Sequence, residues 1–145
     1  GYIGIDIFIP KDLKKRLILK KPKKIQFNLI NADSTSQETI QTISKIIGNK
    51  KAMIIIDAHH TEESVLRELN VYSKFLKKGQ YLVCCDTIPS YIGKNSADDR
   101  PWGKTNNPLT ALKKFLKKNK SFKIDKYYSN KPLISNNFNG IIKKK

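Results

Sequence analysis

Arginine is scarce in this chain. Of its 29 basic residues only Arg16, Arg67 and Arg100 are arginine. Readout of phosphates and base edges favours the planar guanidinium fork, whereas lysine acts as a point charge. The net charge of +17 is therefore weak evidence for nucleic acid, and no specific nucleic-acid partner is expected. The lysines are also scattered, through "KKPKK", "KKFLKKNK" and the tail "IIKKK". With the abundant Ile and Asn, they read as a general bias of composition. What the charge leaves open is peripheral attraction to an anionic membrane surface.

Cysteine is nearly absent as well. Cys84 and Cys85 are neighbours in an apolar run, which excludes a disulfide framework or a CxxC metal site. This agrees with a reducing, cytoplasmic location. No apolar run approaches the roughly 20 residues that span a membrane, and no signal peptide is visible. The only methionine is Met53, and the chain opens directly in strand-like "GYIGIDIFIP". We expect residues upstream of Gly1 to be missing. At 145 residues the chain is one domain or part of one.

What is present is an alternation of strand and helix signals. "YIGIDIF" and "KIQFNLI" read as strands. The basic segment between them is expected to form only a turn or two, ending before Pro22. Ser36 caps a helix that carries Ile40, Ile43 and Ile47 and stops at Gly48. "KAMIIID" reads as a strand buried on both faces. Thr61 opens a helix with Glu62 and Glu63 in its first turn and Val65, Leu69, Tyr72 and Leu76 inward, ended by Lys77, Lys78 and Gly79. "QYLVCCD" is the next strand. Residues 87–106 form a long loop of the kind that serves as a lid or binding loop. "NPLTALKKFLKKN" is a helix with Leu109, Leu112, Phe115 and Leu116 inward, capped by Asn107. "SFKIDKYYS" and "KPLISNNFNGIIK" read as the last two strands, the final one near an edge or starting at Pro132. The pattern predicts an α/β fold around an open, mostly parallel sheet, whose ligands gather at the carboxyl ends of the strands.

Three aspartates occupy such ends, Asp6, Asp57 and Asp86, and Asp33 follows another strand. Asp6 can accept hydrogen bonds from vicinal ribose hydroxyls, or cap a turn. Asp57 and Asp86 can share a divalent ion, or cap the helices that follow. His59 and His60 stand where a general base could work near neutral pH; a structural histidine is the plainer alternative. Cys84 and Cys85 read as core residues, without a basic partner that would activate either thiol. In "DDRPWGKTNNP", Trp102 can cover a ligand and Arg100 can pair with an anionic one, or Trp102 packs on the core.

"IIIDAHHTEESVLRELNVYSKFLKKGQYLVCCDTIP", "DRPWGKTNNPLTALKKFL", "FKIDK" and "GIIKK", in that order, resemble the cephalosporin hydroxylase family, also labelled rhamnosyl O-methyltransferase-like. The family is similar to S-adenosylmethionine-dependent methyltransferases of class I. The resemblance implies a Rossmann-like sheet, mostly parallel with an antiparallel C-terminal strand. It makes residues 1–145 the C-terminal part of a single methyltransferase-like domain, without the first strand and its Gly-rich loop. In that fold the first strand lies between the strands at 2–8 and 51–57, so its loss would split the sheet, and this chain alone would bind the cofactor poorly.

The resemblance also implies roles. Asp6 holds the cofactor ribose, Asp33 and Ser34 border the adenine, Asp57 and Asp86 are metal ligands, and His60 is the catalytic base beside Asp57. Arg100 and Trp102 remain a substrate lid. Cys85 stands where the family usually has a second carboxylate, and a neutral thiol is a poor ligand for Mg²⁺. S-adenosyl-L-methionine is thus the implied cofactor, with Mg²⁺ the ion to be tested. The activity expected is O-methylation of a small-molecule or glycan acceptor, such as a sugar hydroxyl of a glycolipid or polysaccharide. The competing class is a non-catalytic basic α/β module that binds an acidic surface or partner.

Overall fold

A computed structural model describes residues 1–91, 100–132 and 135–145. The chain divides into two compact units, Gly1–Gly48 and Asn49–Lys145. The first unit holds β1 (Tyr2–Asp6), α1 (Lys11–Lys20), β2 (Phe27–Asn31) and α2 (Gln37–Ile47). β1 and β2 pair in parallel, Asp6 opposite Asn31, with Tyr2 and Phe27 stacked at 4.9 Å. Ser36 Oγ accepts from Thr39 N–H at 3.2 Å to cap α2. Gly48 ends that helix at φ +50°, in the left-handed region that favours glycine.

The expected turn or two before Pro22 is instead the full ten-residue helix α1. None of its side chains is buried. Leu, Lys and Arg are good helix formers, and Pro10 and Pro22 mark the two ends, which suffices locally despite the positive charge.

The second unit holds β3 (Ile54–Ile56), α3 (Glu62–Tyr72), β4 (Tyr81–Cys84), α4 (Pro108–Lys118), β5 (Phe122–Ile124), α5 (Lys126–Asn130) and β6 (Ile141–Lys144). Its sheet runs β3-β4-β6-β5. β3 and β4 are parallel; β6 is antiparallel to both β4 and β5. The described strands thus form one parallel pair and one mixed four-stranded sheet, the split that the resemblance implies for a chain without the first strand and not the single sheet that the alternation alone suggests.

The core of this unit lies between the sheet and the α3–α4 pair. Val65, Leu69, Leu82, Leu109, Leu112, Phe115 and Ile142 are essentially fully buried there. Each such side chain contributes about 1.5–3 kcal/mol relative to exposure. The stripe Val65, Leu69, Tyr72 and Leu76 faces inward as expected. α3 itself stops at Tyr72, however, and a 3-10 turn over Ser73–Phe75 carries the chain to Leu76. That turn, rather than the lysines and Gly79, ends the helix.

Three other expectations are corrected. β3 is not buried on both faces: Ile55 is 58% exposed beside buried Ile56. "SFKIDKYYS" is a strand only to Ile124, because the Asp125 side chain accepts from Tyr127 and Tyr128 N–H and starts α5. The last strand is not at an edge: β6 lies between β4 and β5, and Pro132 precedes it outside any strand. The basic tail is therefore part of the sheet. Lys144 Nζ donates to the Leu76 carbonyl at 2.7 Å, and Lys143 stands over the Tyr81 ring. Among the described residues no helix is long and apolar enough to cross a membrane.

Candidate active site

β3 and β4 are parallel neighbours, so their carboxyl ends emerge on the same side of the sheet. Asp57 follows β3 directly, and Asp86 follows β4 by two residues. Cys85 N–H donates to the Ile56 carbonyl at 2.9 Å, which continues the pairing to the point where the chains part. Between the two carboxylates lies His60. Its Nε2 is 3.4 Å from Asp57 Oδ1, and its Nδ1 is 3.4 Å from Asp86 Oδ2. One donor atom from each of the three side chains falls within 4.8 Å of the others. His60 is only 16% exposed, whereas Asp57 is 61% exposed. The Nε2 atom is buried and makes no hydrogen bond among the described residues.

The backbone at Asp86 adopts φ +50°, an uncommon region for a residue other than glycine, though aspartate is tolerated there better than most. Asn137 sustains it: Asp86 N–H donates to Asn137 Oδ1 at 3.0 Å. The turn bearing Asn137 presses against the end of β4, since Gly140 C=O accepts from Cys84 N–H at 2.8 Å. A β-carbon at Gly140 would come within 2.2 Å of the Cys84 carbonyl oxygen, so the close approach requires glycine.

The tryptophan expected at a lid packs onto this group. Trp102 meets His60 edge-on, ring centroids 5.4 Å apart, and the Arg100 guanidinium lies 4.9 Å from the centre of the Trp102 ring. The segment is pinned by two asparagines. Asn106 Oδ1 accepts from Glu62 N–H, Asn106 Nδ2 donates to the Pro101 carbonyl, and its own carbonyl accepts from Gly103 N–H. Asn107 is fully buried; its Oδ1 accepts from Leu109 and Thr110 N–H and from Ser90 Oγ. Its amide donates to the Gly103 and Lys104 carbonyls. The start of the expected lid, Asp98 and Asp99, lies outside the described residues.

The other histidine turns elsewhere. His59 is exposed, and its Nδ1 shares a hydrogen bond with Thr61 Oγ1. Thr61 therefore does not cap α3 through its side chain; Asn106 does so. Cys85 is half-buried, and burial, with the Asp57 and Asp86 charges, pushes its thiol up to about 11. Burial pushes Cys84 up to about 12. Neither is a thiolate near neutral pH, and Cys84 is core, as its apolar run implies.

Asp6, Asp33 and Ser34 belong to the first unit. Asp6 closes β1, where its Oδ1 accepts from Phe8 N–H at 2.9 Å. Asp33 Oδ1 accepts from Thr35 N–H and Thr35 Oγ1, and Ser34 lies half-buried between them in the chain. Asn31, which no sequence pattern singles out, holds the segment after β1: its Oδ1 accepts from Ile9 N–H and its Nδ2 donates to the Ile7 carbonyl. A hollow of about 620 Å³ lined by Phe8, Ile9, Lys11, Lys14 and Asn31 opens there. Asn31, Asn106, Asn107 and Asn137 all act through backbone groups. Only Asn107, placed before a proline at a helix start, carried a local signal of it.

Asp6 does not line the hollow beyond β1 and meets it only through Phe8, from whose N–H it accepts. The donor set of the second unit fits Mg²⁺ poorly. That ion favours an oxygen-only, octahedral shell, and here the group nearest both carboxylates is an imidazole, with a protonated thiol in place of a further carboxylate.

A family model described as Rhamnosyl O-methyltransferase/CmcI matches residues 2–145. No curated protein and no solved structure matches the chain.

Proposed function

Because the chain belongs to the rhamnosyl O-methyltransferase/CmcI family, we propose that it works in S-adenosyl-L-methionine-dependent O-methylation, on a sugar hydroxyl of a glycolipid or polysaccharide. The observation that carries this reading is the placement of His60 between Asp57 and Asp86 at the carboxyl ends of parallel β3 and β4. The family's Rossmann-like architecture is part of the same proposal. It is supported by the parallel β1–β2 and β3–β4 pairs and by the helix after each of these strands.

The cofactor supplies a methyl group on a sulfonium, reactive toward an oxygen aligned with it. The chain supplies placement and proton removal. Asp6 accepts from the ribose hydroxyls; the hydrogen bond from Phe8 N–H to one of its oxygens fixes the carboxylate. Asp33 and Ser34 border the adenine. His60 takes the acceptor hydroxyl proton. Asp57 and Asp86, at 3.4 Å from its two ring nitrogens, orient the ring and stabilise the charge it gains. Trp102 shields this face from water, and an apolar ring at the site suits stacking on a sugar. Arg100 pairs with an anionic group of the acceptor.

The test is methyl transfer by the full-length protein from labelled S-adenosyl-L-methionine to a panel of sugar acceptors. His60→Ala should lower transfer by about 10²–10⁴-fold, the usual worth of a positioned base, with Asp57→Ala also impaired. Transfer that survives His60→Ala undiminished would remove the base role.

A specific observation also supports a second reading, association with an anionic surface. α1 and the residues just after it carry Lys11, Lys14, Lys15, Arg16, Lys20, Lys21, Lys23 and Lys24 against Asp12. Leu19 is 83% exposed and Phe8 71% exposed in the same stretch. A basic segment with exposed apolar side chains suits an acidic membrane surface. It is compatible with a glycolipid acceptor.

A further inference from the structure

We propose that Asp57, His60 and Asp86 bind a first-row transition-metal ion of the Zn²⁺ and Co²⁺ class in preference to Mg²⁺. The inference rests on the donor set, not on methyl transfer, and its test reads metal binding alone, so its failure is distinguishable from a failure of the methyl-transfer reading.

Ligands at about 2.1 Å on a tetrahedral ion stand about 3.4 Å from one another. His60 Nε2 and Asp57 Oδ1 are 3.4 Å apart, and one donor atom of Asp86 completes a trio within 4.8 Å. The ring nitrogen that faces Asp86 is Nδ1, at 3.4 Å from Oδ2, so closing the trio on Nε2 requires the Asp86 side chain to turn. The Nε2 atom is buried and makes no hydrogen bond among the described residues, with Asp57 Oδ1 3.4 Å away, and an unsatisfied buried nitrogen is costly until it gains a partner. An imidazole with two carboxylates is a borderline set: it suits Zn²⁺, Co²⁺ or Mn²⁺, and nitrogen is a poor donor for Mg²⁺. The supports are in place too. Asn137 fixes Asp86 from behind, and Trp102 packs on the edge of the imidazole; such backing tunes metal affinity.

The one lone pair of a neutral imidazole serves either a metal or a proton. An ion seated here therefore competes with any role of His60 as a base.

The chain contains a single tryptophan, and it touches His60, so its emission reports on the site. Co²⁺, which is paramagnetic and has visible d–d absorption, is the probe. Co²⁺ should quench Trp102 emission and show d–d bands, and Zn²⁺ should displace it. Mg²⁺ should displace it only at concentrations higher by roughly a hundredfold or more. His60→Gln should weaken Co²⁺ binding by roughly 10–100-fold, while His59→Gln leaves it unchanged. Asp86→Asn, which suits the left-handed backbone and removes the charge, is the second variant if His60→Gln fails to fold by circular dichroism. Absent quenching, equal displacement by Mg²⁺, or undiminished binding in a folded His60→Gln or Asp86→Asn chain would each overturn the proposal.

Discussion

Cys85 shows at the scale of one residue how position changes chemistry. In sequence it is a thiol next to an acid, and nothing nearby would activate it. In the fold it is half-buried and faces the charges of Asp57 and Asp86, which together hold the thiol up at about 11. A thiol raised above its unfolded value, about 8.5, contributes stability that is fully present below that value. The contribution is lost as pH rises through the folded one, because the unfolded chain then releases its proton first. Cys84, at about 12, acts in the same direction. The expected outcome is slow alkylation of both thiols by iodoacetamide below about pH 9, relative to the unfolded chain. The alkaline fall in melting temperature between about pH 9 and 11 should also be shallower in Cys85→Ser. Rapid labelling of Cys85 at pH 7 in the folded chain would show that the thiol is not so held.

Elements are joined here by asparagine side chains that substitute for backbone partners. The sequence placed Thr61 at the start of α3, but its hydroxyl is engaged with His59. Asn106 satisfies the Glu62 N–H instead and ties the Trp102 turn to the same helix end. Asn106→Ala should lower stability by about 0.5–2 kcal/mol, the usual worth of a helix cap. It should also shift Trp102 emission to the red and raise its quenching by acrylamide, with helix content retained. A cap without a positioning role would lower stability and leave the emission alone. The same logic explains why the boundaries of α3 and of the strand before α5 differ from those the apolar pattern predicts. A 3-10 turn at Ser73 and the Asp125 cap are local hydrogen-bond choices that apolar periodicity does not encode.

For the whole molecule, the net charge of +17 is distributed between two kinds of lysine. Lys114 pairs with Glu62, and Lys143 and Lys144 are used within the second unit. The cluster on α1 has no such described partner and remains exposed. Phosphatidylglycerol vesicles should therefore bind the chain at low ionic strength and release it as salt rises past a Debye length of about 10 Å. Replacement of Lys14 and Lys15 by Glu should weaken binding. No binding at low salt, or binding indifferent to these substitutions, would end the surface reading.

Much was legible before any coordinates. The apolar stripes of α3 and α4, the caps Ser36 and Asn107, the glycine stop at Gly48 and the aspartates at strand ends follow from short-range rules. Side-chain spacing and local capping depend on neighbours three or four residues away, so the sequence alone determined them. Two things were settled only by tertiary structure: the insertion of β6 between β4 and β5, and the packing of Trp102 on a His60 ring whose two nitrogens face Asp57 and Asp86. Each depends on contacts between residues tens of positions apart. Such contacts are decided by which surfaces bury each other and which backbone groups find partners, and no local pattern carries that information.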